Sequence, residues 1–576
     1  MGAFNIDSAI FVVFLVVNIF LGIYSARGVK TIKEYAVGDG KFSSMVIAAT
    51  LIATWISGSG FITDLSETYR DGLYYIFANV GYFLFFFIIA YWFAPRLGEF
   101  IGKLSIADAM GSLYGDKVRT ITAIASCIGS GGLIAAQLNV AGMLMEYAIN
   151  IPTTYGVLIA AIIVGMYSAL GGVKAVTFTD VIQVLTFGII IPFVALVIFK
   201  SVITSGGFIN IVQDNPQFDY KKVFDFSQEK SFNFLLLFLY FAFPDFSPAI
   251  FQRVAMAKNT LQISKSFIIA GFGVFFMIFT VSLISFFIIS GKPDIKSGDL
   301  LRYLLTQYGH VGLTGLILSG IMAMVMSTAD SFINSTSVIL VHDLLKPLAA
   351  KSRFNIFCIN NELLAAKIAS IFITALAVVI SILGDKNLLK LTLSTSAIYV
   401  PLVLVPFLAD VFGFRTSGLS VLIAMFFAFI SIITLKILNY DSVQVMFISM
   451  GVSAFCLFFF HYILRQPGGF VGIKDPEPLN LIRRNRKKKI FDLVENIRTL
   501  RFLQTFKDHT PSNDYSYVLL GFFCLVTSYI LFFTLDSSIL NEYNIAVRAI
   551  YFVILSAIVA LVCHPFWSKR LKENPN

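Results

Sequence analysis

The chain of 576 residues is 57% hydrophobic and 13% charged, with a mean hydropathy of +0.83. This composition excludes a soluble globular protein of that length and indicates an integral membrane protein that crosses the bilayer many times. The formal net charge is +10, and the five cysteines form no CxxC pair, so we expect neither a cysteine metal site nor a disulfide framework.

Apolar segments long enough to cross a bilayer predict an all-α polytopic protein with about 15 transmembrane helices. Thirteen of them lie at about 8–26, 43–67, 73–95, 118–148, 154–170, 177–203, 232–251, 264–290, 310–340, 362–384, 388–410, 417–437 and 442–464, and two more at about 515–535 and 546–563. The first segment lacks a basic stretch before it and a small-residue cleavage site after it, so we expect a retained helix. Three regions follow, namely a transmembrane domain (1–465), a basic hydrophilic linker (466–514) and a terminal helix pair with a short tail (515–576).

Lysine and arginine gather where the odd-numbered helices end. Among these residues are Arg27, Lys30 and Lys33 after helix 1, Arg253, Lys258 and Lys265 after helix 7, and Arg483 to Lys489 after helix 13. By the positive-inside rule this side is cytoplasmic, so we expect the N-terminus outside and the C-terminus inside. We place the protein in a bacterial cytoplasmic (inner) membrane.

Two predicted helices contain residues that interrupt helices. Helix 2 includes the run Ala53-Thr54-Trp55-Ile56-Ser57-Gly58-Ser59-Gly60, and helix 7 includes Phe243-Pro244-Asp245-Phe246-Ser247-Pro248. Irregular backbone at membrane depth persists only where protein buries it or where it lines a cavity. Interrupted helices at matching positions of two halves predict a transporter binding site between inverted repeats, here helices 2–6 and 7–11. Two ordinary kinks are the alternative.

The connection between helices 5 and 6 combines a helix break with an acid. Gly171-Gly172 breaks the first helix, and Thr179-Asp180 precedes the next apolar run. One interpretation is an acidic N-terminal cap, which the helix dipole favours. The other is a carboxylate near the cytoplasmic mouth that attracts a cation.

Helix 9 carries polar residues in the middle of a long apolar run. The stretch Met324-Val325-Met326-Ser327-Thr328-Ala329-Asp330-Ser331 places hydroxyls and a carboxylate where hydrocarbon makes them costly. Neutral oxygens suit a hard cation such as Na⁺. Close packing of membrane helices through small and hydroxylated residues is the alternative.

Together these motifs resemble the sodium:solute symporter family, whose fold is the LeuT-type 5+5 inverted repeat. The matching stretches are Ile321–Ser331, Gly171–Gln183, Ala53–Phe61, Phe251-Gln252-Arg253 and Asp343. The resemblance covers about residues 1–465, and it is closest to proline-permease-like members and to the symporter-like domains of transporter–sensor kinase hybrids.

The resemblance implies a Na⁺ site made of the carbonyls of Ala53, Ile56 and Met324 and the hydroxyls of Ser327 and Thr328. It also implies that Asp180 lies on the ion pathway. The implied solute contacts are Trp55, Ser57, Gly58, Ser59, Phe241, Phe243, Asp245 and Ser247. Proline permeases have Asp at the position of Trp55 and Trp at the position of Ser59, so the resemblance does not make proline the solute.

The linker contains a second helical pattern. Apolar residues recur at helical spacing among basic ones, at Ile490, Leu493, Val494, Ile497, Leu500, Leu503 and Phe506. This indicates an amphipathic helix on the inner leaflet, or alternatively a topological anchor.

Two functions follow from these features. The first is Na⁺-coupled symport of a small organic solute, an amino acid or related metabolite, by alternating access. The second is solute sensing through the C-terminal extension, with a signalling partner at the cytoplasmic tail. The sequence lacks a catalytic triad, a P-loop and an HExxH motif, so we do not expect an enzyme. The expected partners are Na⁺, a small solute and membrane lipid, without nucleic acid and without an organic cofactor.

Overall fold

A computed structural model describes residues 5–38, 40, 42–204, 218–291, 295–351, 361–384 and 387–498. The chain divides into two units, one formed by Met1–Val202 and Gly207–Pro476 and the other by Ile203–Gly206 and Glu477–Asn576. The first unit contains nearly all of the described residues.

Most helices in the N-terminal half of this unit begin at polar caps. The side chain of Asn5 accepts a hydrogen bond from the Ser8 amide at 2.8 Å, and Ser43 accepts one from the Val46 amide at 3.3 Å. The helices are α1 (Ile6–Ser25), α2 (Ile32–Ala36), α3 (Ser44–Trp55), α4 (Gly58–Asp71), α5 (Leu73–Ile88), α6 (Ile106–Tyr114), α7 (Asp116–Ile149) and α8 (Thr153–Thr204).

The C-terminal half also consists of helices of different lengths. They are α9 (Tyr220–Val223), α10 (Glu229–Ala242), α11 (Pro248–Ala255), α12 (Thr260–Gly291), α13 (Leu300–Gln307), α14 (Leu313–Val338), α15 (Lys346–Lys351), α16 (Glu362–Leu383), α17 (Leu388–Tyr399), α18 (Val405–Val411), α19 (Gly418–Ile437) and α20 (Ser442–Ile463). Single π-helical stretches continue α5, α14 and α17 over Ile89–Phe93, Ile339–Leu345 and Val400–Leu404.

These helices match the predicted spans within the described residues. By length and composition 10 helices can cross a membrane, or 11 if the bent pair α3–α4 is one span. Predicted helices 5 and 6 are merged in α8, and predicted helix 7 is divided between α10 and α11. The two helices predicted at 515–535 and 546–563 lie outside the described residues.

The predicted break at Gly171-Gly172 is a kink within α8. Gly172 has a φ of +57°, and a Cβ there would lie 2.5 Å from Cδ2 of Tyr35. Only glycine meets both requirements without strain. The backbone therefore changes direction within the helix, without an intervening loop.

Helix α14 forms the centre of the unit. Every residue from Ile317 to Val338 is buried, and the helix packs against α1, α3, α4, α7 and α16. Because its polar residues lie on a helix surrounded by protein, hydrocarbon does not contact them. The centre of the unit is therefore the place where a polar site can exist inside the membrane.

A two-stranded antiparallel pairing extends the unit beyond the predicted end at residue 465. Strand β1 (Phe414–Arg415) pairs with β2 (Gly469–Phe470), and the unit continues to Pro476. In the second unit, α21 (Glu477–Arg498) contains the beginning of the predicted amphipathic stripe, with Ile490 and Val494 exposed. The stripe residues Leu500, Leu503 and Phe506 lie outside the described residues.

Candidate ion and solute site

The break between α3 and α4 follows from the sequence Ile56-Ser57-Gly58. Ile56 leaves the helix with a ψ of +96°, and the Ser57 hydroxyl accepts a hydrogen bond from the Gly60 amide at 2.9 Å. Ser57 is therefore the N-cap of α4, and the two helices meet at a bend of 57°. The last carbonyls of α3 are left without intrahelical donors, so they are available to other partners.

The break between α10 and α11 is the counterpart in the second half of the fold. Phe243 ends α10 with extended backbone, and Pro248 is the first residue of α11, a position at which its missing N–H is harmless. The hydroxyl of Tyr399 donates a hydrogen bond to the Phe246 carbonyl at 2.7 Å. Both predicted interruptions are therefore present, and protein groups satisfy part of the exposed backbone.

Four of the five predicted Na⁺ ligands converge at the first break. The Ser327 hydroxyl donates to the carbonyls of Ala53 at 2.8 Å and Met324 at 3.1 Å. The Thr328 hydroxyl lies 3.4 Å from the Ala53 carbonyl and 3.3 Å from that of Thr54. The fifth predicted ligand, Ile56, caps α3 one turn beyond Ala53. These residues are buried, so the cluster consists of neutral oxygens shielded from lipid.

This donor set has the chemistry of a site for a hard monovalent cation. Carbonyl and hydroxyl oxygens carry no net charge and accept an ion without a counter-ion. The hydroxyl hydrogens, which point at carbonyls in the structure, can rotate away so that the oxygen lone pairs face a cation. The same hydroxyls also join α14 to the end of α3, which is the contact that the alternative of close helix packing predicts.

A cavity of about 200 Å³ lies between the two breaks. Seven of the eight predicted solute residues line it, namely Trp55, Ser57, Ser59, Phe241, Phe243, Asp245 and Ser247. Gly58 is the exception, because a Cβ at that position would lie 2.2 Å from Cγ2 of Val325. This glycine allows α4 to approach α14 closely, and its contact with solute stays a prediction.

The structure adds cavity residues that the sequence analysis missed. Asp64 lines the cavity, and its carboxylate accepts hydrogen bonds from the Tyr75 hydroxyl at 3.1 Å and from Asn79 at 3.5 Å. Gln137 holds the first turn of α4, since its amide donates to the Ser59 hydroxyl at 2.6 Å and accepts from the Ser59 amide at 3.1 Å. Asp64 could have been noticed as an acid within the predicted helix 2 at about 43–67, whereas nothing in the sequence near Gln137 connects it with helix 2.

The structure bears on the first of the two interpretations of Asp180, the acidic N-terminal cap. Asp180 lies inside α8, fully buried, and Thr179 donates its hydroxyl to carbonyls of its own helix. The cap interpretation is therefore wrong. The Asp180 carboxylate accepts a hydrogen bond from Thr50 and forms an ion pair with Arg253 at 3.2 Å.

Arg253 connects this ion pair with α14. Its guanidinium is fully buried and donates to the hydroxyls of Thr50 at 3.0 Å and Ser331 at 2.5 Å. Ser331 also accepts a hydrogen bond from Thr54 at 3.2 Å, and Thr54 follows Ala53. The positive-inside rule was applied with Arg253 as a charge of a cytoplasmic loop. That assignment is wrong, because α11 places Arg253 inside the protein.

Comparison with known families decides the class of this protein. The sequence profile of the sodium:solute symporter family matches residues 35–427. The chain belongs to this family. Na⁺-coupled solute symport is therefore its activity, with Na⁺ as the coupling ion, and the prediction of a transporter rather than an enzyme is confirmed.

Individual symporters agree with this assignment. The sodium/glucose cotransporter of Vibrio parahaemolyticus is 24% identical over 454 residues, which cover 73% of this chain and 83% of that protein. Sodium-coupled monocarboxylate transporter 1 of Xenopus laevis is 24% identical over 60% of this chain and 58% of its own length. The structure of a Na⁺-coupled sialic acid symporter in a substrate-bound outward-open state superposes with a TM-score of 0.69 at 17% identity, covering 80% of this chain and 98% of that one.

The symporter fold is thus confirmed as an all-α LeuT-type architecture in a multi-pass membrane protein. Its relatives differ in the solutes that they carry, so the family does not name the solute of this chain. The tail residues on which the sensing alternative depends lie largely beyond Arg498, outside the described residues.

Proposed function

We propose that this symporter binds Na⁺ between α3 and α14 and its organic solute in the adjacent cavity, and moves both across the membrane by alternating access. The ligands are the carbonyls of Ala53, Ile56 and Met324 with the hydroxyls of Ser327 and Thr328. The observation that carries the proposal is the 2.8 Å contact from the Ser327 hydroxyl to the Ala53 carbonyl, which joins one half of the fold to the other.

This position explains how ion binding and solute binding are coupled. Thr54, Trp55 and Ile56 line the solute cavity, and Ala53 belongs to the same turn. An ion that orders the end of α3 therefore also orders part of the solute site. Thr328 contributes to both, since it is a proposed ligand and a cavity residue.

The neutral ligands also have an energetic consequence. Because they do not compensate the charge of Na⁺, the bound ion experiences the membrane potential, which supplies about 2.3 kcal/mol per 100 mV. That energy supports roughly a 50-fold gradient of a neutral solute before the sodium gradient contributes.

Asp180 and Arg253 are proposed to keep α3, α8, α11 and α14 in register while the ion enters and leaves.

The solute is an amino acid or a related small metabolite. Its proposed contacts are the predicted residues that line the cavity, namely Trp55, Ser57, Ser59, Phe241, Phe243, Asp245 and Ser247, together with Asp64. We place the protein in a bacterial cytoplasmic membrane with the N-terminus outside and the C-terminus inside. The basic residues of α21 would then face the anionic lipids of the inner leaflet.

Uptake into proteoliposomes tests the proposal. The full chain is supplied with labelled amino acids, sugars and small carboxylates, with and without an inward Na⁺ gradient, alongside the double variant Ser327→Ala/Thr328→Ala. We expect Na⁺-stimulated accumulation of at least one solute and its loss in the double variant. Solutes that bind without accumulating under any ion gradient would contradict coupled transport and favour sensing.

A further inference from the structure

The charges that line the solute cavity are all of one sign. Asp64 and Asp245 are acidic, and among the described residues that line the cavity there is no lysine, arginine or histidine. A solute with a net negative charge would meet two carboxylates and no positive side chain. The cavity therefore disfavours anions by electrostatics alone.

The two carboxylates have different surroundings. Asp64 is oriented by Tyr75 and Asn79, which donate to its Oδ1. Oδ1 of Asp245 is shielded from solvent and has no hydrogen-bond partner in the part of the chain that the structure describes. A buried carboxylate oxygen without a partner is costly, and a positive charge placed beside it offsets that cost.

Aromatic rings surround the same space. Trp55, Tyr75, Tyr82, Tyr240, Phe241 and Tyr399 line the cavity. Tyr82 and Phe241 stack with their centroids 4.1 Å apart, and Trp55 meets the edge of Tyr82 at 5.5 Å. Aromatic faces attract organic cations, and more strongly where water is excluded.

We infer that the solute carries a cationic nitrogen, which Asp245 and Asp64 bind with the help of these rings. The inference rests on the proposed function, because it takes this cavity as the solute site. The class comprises amines, quaternary ammonium compounds and zwitterions, and it excludes sugars and simple carboxylates. A solute with net positive charge would carry a second charge inward beside Na⁺, so transport would be more strongly driven by the membrane potential.

The test compares probes that differ in charge. Proteoliposomes containing the full chain receive labelled choline, arginine, proline, glucose and lactate under an inward Na⁺ gradient. We expect accumulation of at least one probe with a cationic nitrogen. We also expect unlabelled choline to inhibit that uptake. Its half-inhibitory concentration should be roughly tenfold lower than that of dimethylbutanol, the uncharged isostere of choline. Preferred accumulation of glucose or lactate, or equal inhibition by choline and dimethylbutanol, would overturn the inference.

Substitutions separate this inference from the proposed function. Asp245→Asn and Asp64→Asn keep shape and remove charge, and each is expected to raise the KM of the cationic probe roughly tenfold or more. Asp245→Glu retains the charge and should recover part of the affinity, which also covers the case in which the amide variant does not fold. Asp71→Asn, an acid that does not line the cavity, is the matched control.

The outcomes are distinguishable. If both amide variants keep the parental KM while Ser327→Ala/Thr328→Ala abolishes uptake, the symport proposal stands and the inference about the nitrogen fails. If no probe accumulates under a Na⁺ gradient, the proposed function fails and the inference fails with it.

Discussion

Asp180 and Arg253 form an ion pair at 3.2 Å with both side chains fully buried. The pair joins α8 to α11, and the guanidinium continues to Ser331 on α14. Buried charges of this kind are stable only when every partner is present, because each charge has been removed from water. Through Thr50 and Ser331 the pair also contacts α3 and α14, the two helices that carry the proposed ion ligands.

The first prediction concerns this pair. Arg253→Met leaves the Asp180 carboxylate buried without its counter-charge, and we expect a loss of about 3–5 kcal/mol in the free energy of unfolding together with loss of uptake. Thermal unfolding of the detergent-solubilised protein measures the first effect. The double variant Arg253→Met/Asp180→Leu removes both charges and should be more stable than the single variant.

An ion pair with a half-exposed lysine provides the control for that experiment. Lys230 lies 2.9 Å from Asp71 with 47% of its side chain exposed, and Asp71 also accepts a hydrogen bond from Arg70. Because Lys230 is half-exposed and Asp71 keeps Arg70 as a counter-charge, Lys230→Met should leave the unfolding temperature almost unchanged. Equal effects of Lys230→Met and Arg253→Met would refute the special role of the buried pair.

The second prediction addresses Na⁺ affinity at the hydroxyl pair. Ser327→Ala removes a hydroxyl in contact with two carbonyls and should raise the half-saturating Na⁺ concentration by roughly 10–100-fold, since a bond to a charged partner contributes about 1.5–3 kcal/mol. Thr328→Ser keeps the hydroxyl and should have a much smaller effect. Trp55 lies two residues beyond Ala53, so its fluorescence can follow the Na⁺ titration without a known solute.

Ser319 supplies the matched control on the same helix. Its hydroxyl donates to the carbonyl of Gly315 at 2.7 Å and contacts neither α3 nor α4 through a hydrogen bond in the described structure. Ser319→Ala should therefore leave the Na⁺ titration unchanged. A fluorescence response that persists in Trp55→Phe would show that the signal comes from elsewhere.

The helices could be predicted from the sequence because span length and interruption by glycine and proline are local properties. The Ser327-Thr328 pair was identifiable for the same reason, since hydroxyls within an apolar run are conspicuous. The partner of Asp180 could not be identified in this way, because Arg253 lies 73 residues away. Arg253 also comes at the end of an apolar run, a position that is typical of a cytoplasmic loop charge. The sequence around Gly58 likewise does not reveal its close approach to Val325, because that distance depends on how closely α4 and α14 pack.

The third prediction concerns the amide of Gln137. Both polar atoms of this side chain bind Ser59, so Gln137→Leu frees the first turn of α4 at the edge of the cavity. We expect the KM for the solute to rise several-fold while the protein remains folded, because only cavity geometry changes. Gln262→Leu, which loses a hydrogen bond to the Phe42 carbonyl at 2.8 Å and does not line the cavity, should leave KM at the parental value.

The last prediction uses the close approach at Gly58. A methyl group there would lie 2.2 Å from Cγ2 and 3.3 Å from Cα of Val325, so Gly58→Ala forces α4 away from α14 beside the proposed ion ligands. Reduced Na⁺ affinity is expected in the Trp55 fluorescence titration. Val325→Ala removes the clashing side-chain atom, and the double variant Gly58→Ala/Val325→Ala should regain much of the affinity.

Gly188 distinguishes this effect from a general intolerance of alanine. A Cβ at Gly188, within α8, has no neighbouring atom within 4 Å, and alanine favours helix there. Gly188→Ala should keep parental Na⁺ affinity and equal or higher stability. If Gly58→Ala also keeps parental affinity, the distance between α4 and α14 does not control the ion site, and the role of this glycine must be sought in the break itself.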